Sequence, residues 1–113
     1  MSALDDWGRA FRELVNLNAA ELAAWLKSPE SESVGWRAPG MNDSVGRASG
    51  RAIVAILRTP SEKLTEAQLR HMRKVVGFIR RHRAQRPGGD ISRTRWRYSL
   101  MNWGHDPMKS DPI

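Results

Sequence analysis

The sequence has no cysteine and few β-branched residues, and its longest apolar run, at 52–57, has six residues. Without thiols the chain can form neither disulfides nor cysteine-based zinc sites. Six valines, five isoleucines and three threonines among 113 residues, with no sustained apolar–polar alternation, give strands little support. A run of six is far shorter than a membrane span. Since Asp5 and Asp6 stand where a signal peptide is basic, we expect a soluble, cytoplasmic protein without membrane contact.

Motifs for catalysis and cofactor binding are also missing. No glycine-rich phosphate loop is present, and no serine stands in a Gly-x-Ser-x-Gly elbow. His71 and His82 are eleven residues apart on one predicted helix, about 16 Å along its axis, so they cannot share a metal ion without a second chain. The basic part of the chain has too few carboxylates for a paired acid and base. We therefore predict no enzyme activity, no cofactor and no metal.

Positive charge is present in excess and is unevenly spread. The net charge is +7 overall, made of −3 over residues 1–35 and +10 over residues 36–113. Residues 70–97 carry ten basic side chains against Asp90 alone. Fifteen of the nineteen cations are arginine, whose planar group of donors suits phosphate and carboxylate. This distribution indicates an anionic partner.

Apolar spacing predicts an all-α fold, a compact single domain of four to five helices over residues 1–113. Asn18 with Glu21 and Thr65 with Gln68 match capping boxes, and Ser44 and Ser92 are further N-cap candidates. The first two predicted helices, joined by a short corner, resemble the opening of a helix-turn-helix. The predicted helices cover about 3–17, 18–27, 45–58, 65–84 and 92–103, with a loop at about 28–43 and an irregular tail at about 105–113.

The sequence also raises questions about one loop residue, one pair of glycines and the last predicted helix. Trp36 lies in the long loop, and we expect it to fold back on the helical core. Gly46 and Gly50 are four residues apart on one helix face, which indicates either close helix packing or a phosphate contact over bare backbone. Residues 94–98 alternate as a strand would, but the spacing of Trp96 and Trp103 and the C-terminal Gly104 favour a helix. We expect both of these tryptophans in the core.

The basic residues predict contact with nucleic acid. On the helix at 65–84 the apolar side chains lie on one face and the cations on the other, so several phosphates could be neutralised together. Arginines at 47, 51 and 58 form a stripe on the preceding helix, and those at 93–97 flank Trp96 and Tyr98. The candidate nucleic-acid-binding residues are Arg47, Arg51, Arg58, Arg70, Arg73, Lys74, Arg80, Arg81, Arg93, Arg95 and Arg97.

Double-stranded DNA is the preferred partner, bound through its backbone with weak sequence specificity, because no side-chain set for reading bases can be identified. A DNA-binding protein of this kind would be nucleoid-associated. The first alternative is a protein-interaction module, in which the basic half meets an acidic partner or the acidic 1–35 region of a second copy. The second alternative is an RNA or single-strand binder, indicated by the aromatic residues among the arginines.

Long segments of the chain resemble a known family. They are HMRKVVGFIRRHRAQRP at 71–87, TRWRYSLMNWGHDP at 94–107, SVGRASGRAIVAILR at 44–58 and ELAAWL at 21–26. These segments resemble a family of small bacterial proteins, also found in fungi, that is grouped as a domain of unknown function. Some of its members are labelled as DNA-binding proteins. The resemblance implies a single self-contained domain and favours DNA as partner, and it carries no catalytic residue to this chain.

Overall fold

The protein is all-helical in a computed structural model that describes residues 3–110. The all-α prediction is confirmed: in this part of the chain five helices have eight or more residues and two are single turns. Across these described residues, no helix is both long and apolar enough to cross a membrane. The elements are α1 (Ala3–Leu14), α2 (Ala19–Leu26), α3 (Pro29–Glu32), α4 (Val45–Leu57), a 3₁₀ turn (Ser61–Lys63), α5 (Glu66–Arg83), α6 (Arg95–Asn102) and α7 (Pro107–Ser110).

Local capping signals begin the helices that the sequence predicts. Asn18 and Glu21 form a capping box at α2, and Thr65 and Gln68 form a second one at α5. The side chain of Ser44 accepts a hydrogen bond from the backbone of Arg47 at the start of α4. Each cap satisfies backbone N–H groups that have no partner inside the helix.

The core lies where α6 meets the other helices. α1 packs mainly on α5 and α2 mainly on α4, so the first two helices have different partners. α6 contacts α2, α3, α4 and α5, and its Leu100 is fully buried. Other fully buried apolar side chains of the described residues come from α1, α2, α4, α5 and the start of α7: Phe11, Leu22, Ile53, Val75, Val76, Ile79 and Pro107.

The two glycines of α4 mark the place where this helix meets α6. A Cβ atom at Gly50 would lie 2.6 Å from the backbone oxygen of Asn102 and 2.8 Å from Leu26 Cδ2. A Cβ at Gly46 would lie 3.2 Å from the indole nitrogen of Trp103. Of the two alternatives for this pair, the structure therefore supports close helix packing.

The first helix ends earlier and the tail is more ordered than predicted. α1 stops at Leu14 because the next backbone groups are bound by the tail: Leu17 N–H donates to the oxygen of Gly104 at 3.1 Å, and His105 Nδ1 lies 2.6 Å from the oxygen of Leu14. His105 and Asp106 are buried, and the chain then forms α7. Residues 111–113 of the predicted tail lie outside the described residues.

The last predicted helix is confirmed, with a different start. Thr94, not Ser92, caps α6, accepting a hydrogen bond from the backbone of Arg97 at 3.1 Å. Ser92 is held in the preceding turn, where its N–H donates to Asp90 Oδ1 at 2.9 Å. Gly104 has a φ of 84°, the left-handed conformation that glycine adopts readily after a helix.

Candidate nucleic-acid interface

One face of α5 presents five cations to solvent. The opposite face is anchored in the core by Met72, Val75, Val76 and Ile79, so the helical period turns the basic residues outward. We call the five exposed residues the α5 stripe: Arg70, Arg73, Lys74, Arg80 and Arg81. The structure thus brings together all the candidate residues that the sequence placed on this helix.

The charges of the α5 stripe are largely uncompensated. Arg70 has a carboxylate neighbour, Glu66, at 4.0 Å, and both side chains are exposed, so this ion pair is weak. Within residues 3–110 the other four cations have no carboxylate oxygen within 4.0 Å. A row of unpaired cations of this kind can release the counterions of several phosphates.

Trp7 of α1 borders the stripe on one side. The guanidinium carbons of Arg73 and Arg80 lie 5.4 and 5.9 Å from the centroid of its ring. Cation–π contacts of this length contribute about 0.5–1 kcal/mol at exposed sites. The contacts with Trp7 position both guanidinium groups. The N–H donors of these groups have no carboxylate partner among the described residues and can bind another anion.

Two of the candidate arginines, Arg47 and Arg97, donate hydrogen bonds to groups within the protein. Arg47, whose side chain is 12% exposed, donates from Nε to both oxygens of Asp43 at 2.8 and 3.0 Å and from Nη1 to Ser31 Oγ at 2.8 Å. Arg97 forms two parallel bonds to Asp106 at 3.1 Å each, and its Nη1 donates to the oxygen of Ser92. Their donors hold loops and the tail in place, and the expectation that these two residues bind phosphate stays a prediction.

The remaining candidates lie apart from the stripe. Arg51 pairs with Asp43 at 2.6 Å and borders a groove lined by α2 and α4 residues, among them Lys27. Arg95 is exposed, but its Nη1 donates to the oxygen of Ser33 at 3.0 Å, beside α3. Arg58, at the C-terminal cap of α4, and Arg93, before α6, are exposed. Within residues 3–110, no hydrogen bond, ion pair or ring contact joins any of these four to the α5 stripe.

A column of stacked rings fastens α5 to α6. Its order is His71, Trp103, Phe78, His82 and Trp96, with successive centroids 6.3, 4.1, 5.1 and 6.2 Å apart and planes within 15° of parallel. The indole N–H of Trp96 donates to the backbone oxygen of His82 at 2.7 Å. The prediction that Trp103 belongs to the core is confirmed, and Trp96 packs against the core while partly exposed. Sequence reasoning missed the column, although the spacing of its residues on each helix was visible.

Both histidines of the column favour the neutral form. Burial lowers the pKa of His71, the charge of Lys74 lowers it further, and a hydrogen bond with Ser49 opposes the shift. Burial likewise lowers the pKa of His82, against the effect of a hydrogen bond with Trp96. His82 Nε2 is buried without a hydrogen-bond partner among the residues described. The lowered pKa values therefore reduce the positive charge that these imidazoles can add to the stripe.

A groove runs between α5 and the loop before α4. It consists of two adjoining cavities of about 450 and 290 Å³, which share Val45, Lys74 and Trp103. Trp36 lines the larger cavity and is 67% exposed, so the expectation that it folds back on the core is wrong. The backbone oxygen of Trp36 accepts a hydrogen bond from Val45 N–H, and Gly35 next to it has a φ of 100°. The loop is thus fastened through its backbone, which leaves the indole in solvent.

Comparisons with known proteins assign the chain to a family. Residues 3–110 contain no group of three or more His, Asp or Glu side chains that could hold a metal ion. Searches of curated proteins and of solved structures found no match. A family model described as "Protein of unknown function (DUF3140)" matches residues 10–101. The chain therefore belongs to the DUF3140 family of proteins of unknown function.

Proposed function

We propose that this protein binds double-stranded DNA through contacts between the α5 stripe and the phosphate backbone. The observation that carries the proposal is the stripe itself, five exposed cations on one face of a helix whose opposite face is buried. The resemblance to a family in which some members are labelled DNA-binding favours the same class of partner. A DNA-binding role places the protein in the cytoplasm, associated with the nucleoid.

The length of the stripe suits a row of phosphates. Arg70 and Arg81 are eleven residues apart, which is about 16 Å along the helix axis. One strand of duplex DNA carries a phosphate about every 3.4 Å along its axis. Because each strand winds around that axis, the five cations of the stripe could neutralise about five phosphates only by reaching both strands of the duplex. Phosphate contacts fix position without reading sequence, so we expect little discrimination between duplexes.

Salt dependence tests this proposal. With about five phosphates neutralised, log K against log salt concentration should fall with a slope of about −4.5. The measurement is fluorescence anisotropy of a labelled duplex at several salt concentrations, repeated with a second duplex of unrelated sequence. Similar affinities and steep slopes for both duplexes support the proposal. A slope near zero, or no binding at low salt, contradicts it.

Self-association is a second candidate, favoured by the charge difference between the two parts of the chain. Residues 1–35 have a net charge of −3, and Glu13, Glu30 and Glu32 among them are exposed. These carboxylates could meet the α5 stripe of a second copy. Sedimentation at low and high ionic strength separates the two candidates. A dimer that salt dissociates, without affinity for DNA, favours association, whereas a monomer at low salt contradicts it.

A further inference from the structure

The groove beside α5 shares two cations with the stripe. Lys74 and Arg81 belong to the α5 stripe and also line the larger cavity of about 450 Å³. Its other walls are mainly apolar and aromatic, with Phe78, Trp103 and Trp36 among them. The volume lies in the range of cavities that hold small organic groups. A group that entered it would meet flat apolar surface at one side and unpaired positive charge at its rim.

We propose that this groove accepts one unpaired base of a strand whose phosphates lie on the α5 stripe. This inference rests on the proposed function, and it names the form of nucleic acid that the protein prefers. A nucleotide matches both features of the groove. Its flat base fits the apolar surface, and its phosphate, a short distance away, fits the positive charge. A base that is paired and stacked in a duplex has both faces covered, so it cannot enter the groove without leaving the stack.

Trp36 provides the surface on which the base stacks. The faces of Phe78 and Trp103 lie against each other, with centroids 4.1 Å apart, so these rings offer their edges to the groove. Trp36 takes part in no ring contact among the described residues, and two-thirds of it is exposed. Stacking on a tryptophan tolerates every base, because every base has a π-face.

The polar groups of the groove explain why base identity matters little. The side chain of Asn102 is already occupied, because its oxygen accepts from Trp25 Nε1 at 2.8 Å and from Ser31 Oγ at 2.6 Å. Ser99 contributes a hydroxyl that has no hydrogen-bond partner in the described part of the chain. One hydroxyl can donate or accept and so does not separate the four bases. We therefore expect a preference for unpaired bases and a weak preference among them.

The experiment compares three labelled ligands by fluorescence anisotropy: a matched duplex, the same duplex with one extra unpaired thymine, and a short oligothymidine. The wild-type protein should bind the bulged duplex about 5- to 150-fold more tightly than the matched duplex, which is the range of stacking one base on an aromatic side chain. Trp36→Ala should remove that difference and leave the affinity for matched duplex unchanged. Met108→Ala, which truncates an exposed apolar side chain on α7, is the control and should retain the difference.

The possible results distinguish base binding in the groove from duplex binding by the α5 stripe. Equal affinity of the wild type for bulged and matched duplex overturns the groove as a base site and leaves duplex binding standing. Persistence of the preference in Trp36→Ala also overturns it. Binding of oligothymidine that Trp36→Ala weakens, with no affinity for matched duplex, supports the groove and contradicts the proposed function. Failure to bind any of the three ligands contradicts both.

Discussion

The ring of Phe78 on α5 lies against the ring of Trp103 on α6, with centroids 4.1 Å apart and planes 12° from parallel. This contact is the centre of the aromatic column, and it joins the helix that carries the cations to the helix at the middle of the fold. It also forms part of the wall of the groove. Stability and the candidate binding surface therefore depend on the same pair of side chains.

Truncating Phe78 should destabilise the protein. Phe78→Ala removes the ring contacts with Trp103 and His82 and opens a gap in the column, so we expect a loss of about 2–4 kcal/mol in the free energy of unfolding. Urea denaturation followed by circular dichroism measures this loss. Met108→Ala removes an exposed side chain and should change stability by less than about 0.5 kcal/mol. A similarly small effect for Phe78→Ala would show that the column contributes little.

Adding one methyl group at Gly50 should also be costly. A Cβ there would lie 2.6 Å from the backbone oxygen of Asn102, so α4 and α6 would have to separate. We expect Gly50→Ala to lower the unfolding free energy by about 1–3 kcal/mol, although alanine is the better helix former. Gly8→Ala is the matched control in α1, where nothing lies within 4 Å of the added atom. That change should stabilise the protein by about 0.5–1 kcal/mol, and a gain at Gly50 would contradict the close approach.

Stability should fall as the pH drops below about 6.5. The pKa values of His71 and His82 are lowered in the folded protein, chiefly by burial, so the unfolded chain binds protons first. Stability is therefore full above the ordinary histidine pKa of about 6.5 and is lost as the pH falls through the lower folded values. Urea unfolding at several pH values between about 5 and about 8 measures the effect. His82→Phe keeps a ring in the column but removes one titrating group. Its stability should therefore fall less than that of the wild type over the same drop in pH. A wild type equally stable at both ends of this range would contradict the shifts.

Arg97 should prove structural and Arg81 functional. Arg97→Gln breaks the paired bonds to buried Asp106, so we expect a loss of about 2–4 kcal/mol in stability. The slope of DNA affinity against salt should not change once the protein is folded. Arg81→Gln, on the exposed face of α5, should change stability by less than about 0.5 kcal/mol and make the slope shallower by about 1. The reverse pattern would contradict the assignment of the two arginines.

Local signals predicted the helices, whereas contacts between distant residues determined the rest. The capping box at Thr65 and Gln68 depends on residues three apart, so it could be read from the sequence. The end of α1 at Leu14 depends on His105, 91 residues away, and no local pattern reveals that bond.

For the candidate site, too, the local features could be predicted from the sequence and the contacts between distant residues could not. Helical periodicity was sufficient to place the cations of α5 together on one face. It could not identify Arg97 as partly buried, because its partner Asp106 comes from the tail, whose path is fixed by tertiary packing. Arg47 and Asp43 are only four residues apart, so that pairing could have been read from the sequence. Trp36 was expected on the core because it is large and apolar, but the loop that exposes it is held by backbone hydrogen bonds that any side chain permits.

The most direct test of the α5 stripe compares two double variants with the same net charge. One is Arg73→Gln with Lys74→Gln, within the stripe, and the other is Lys63→Gln with Lys27→Gln, at exposed positions that belong neither to the stripe nor to the other candidate binding residues. Duplex affinity is measured for both across a range of salt concentrations. The stripe variant should lose affinity and show a slope shallower by about 2, while the control keeps the wild-type slope. Equal slopes for the two variants would mean that net charge, and not the α5 stripe, governs binding, and would contradict the account.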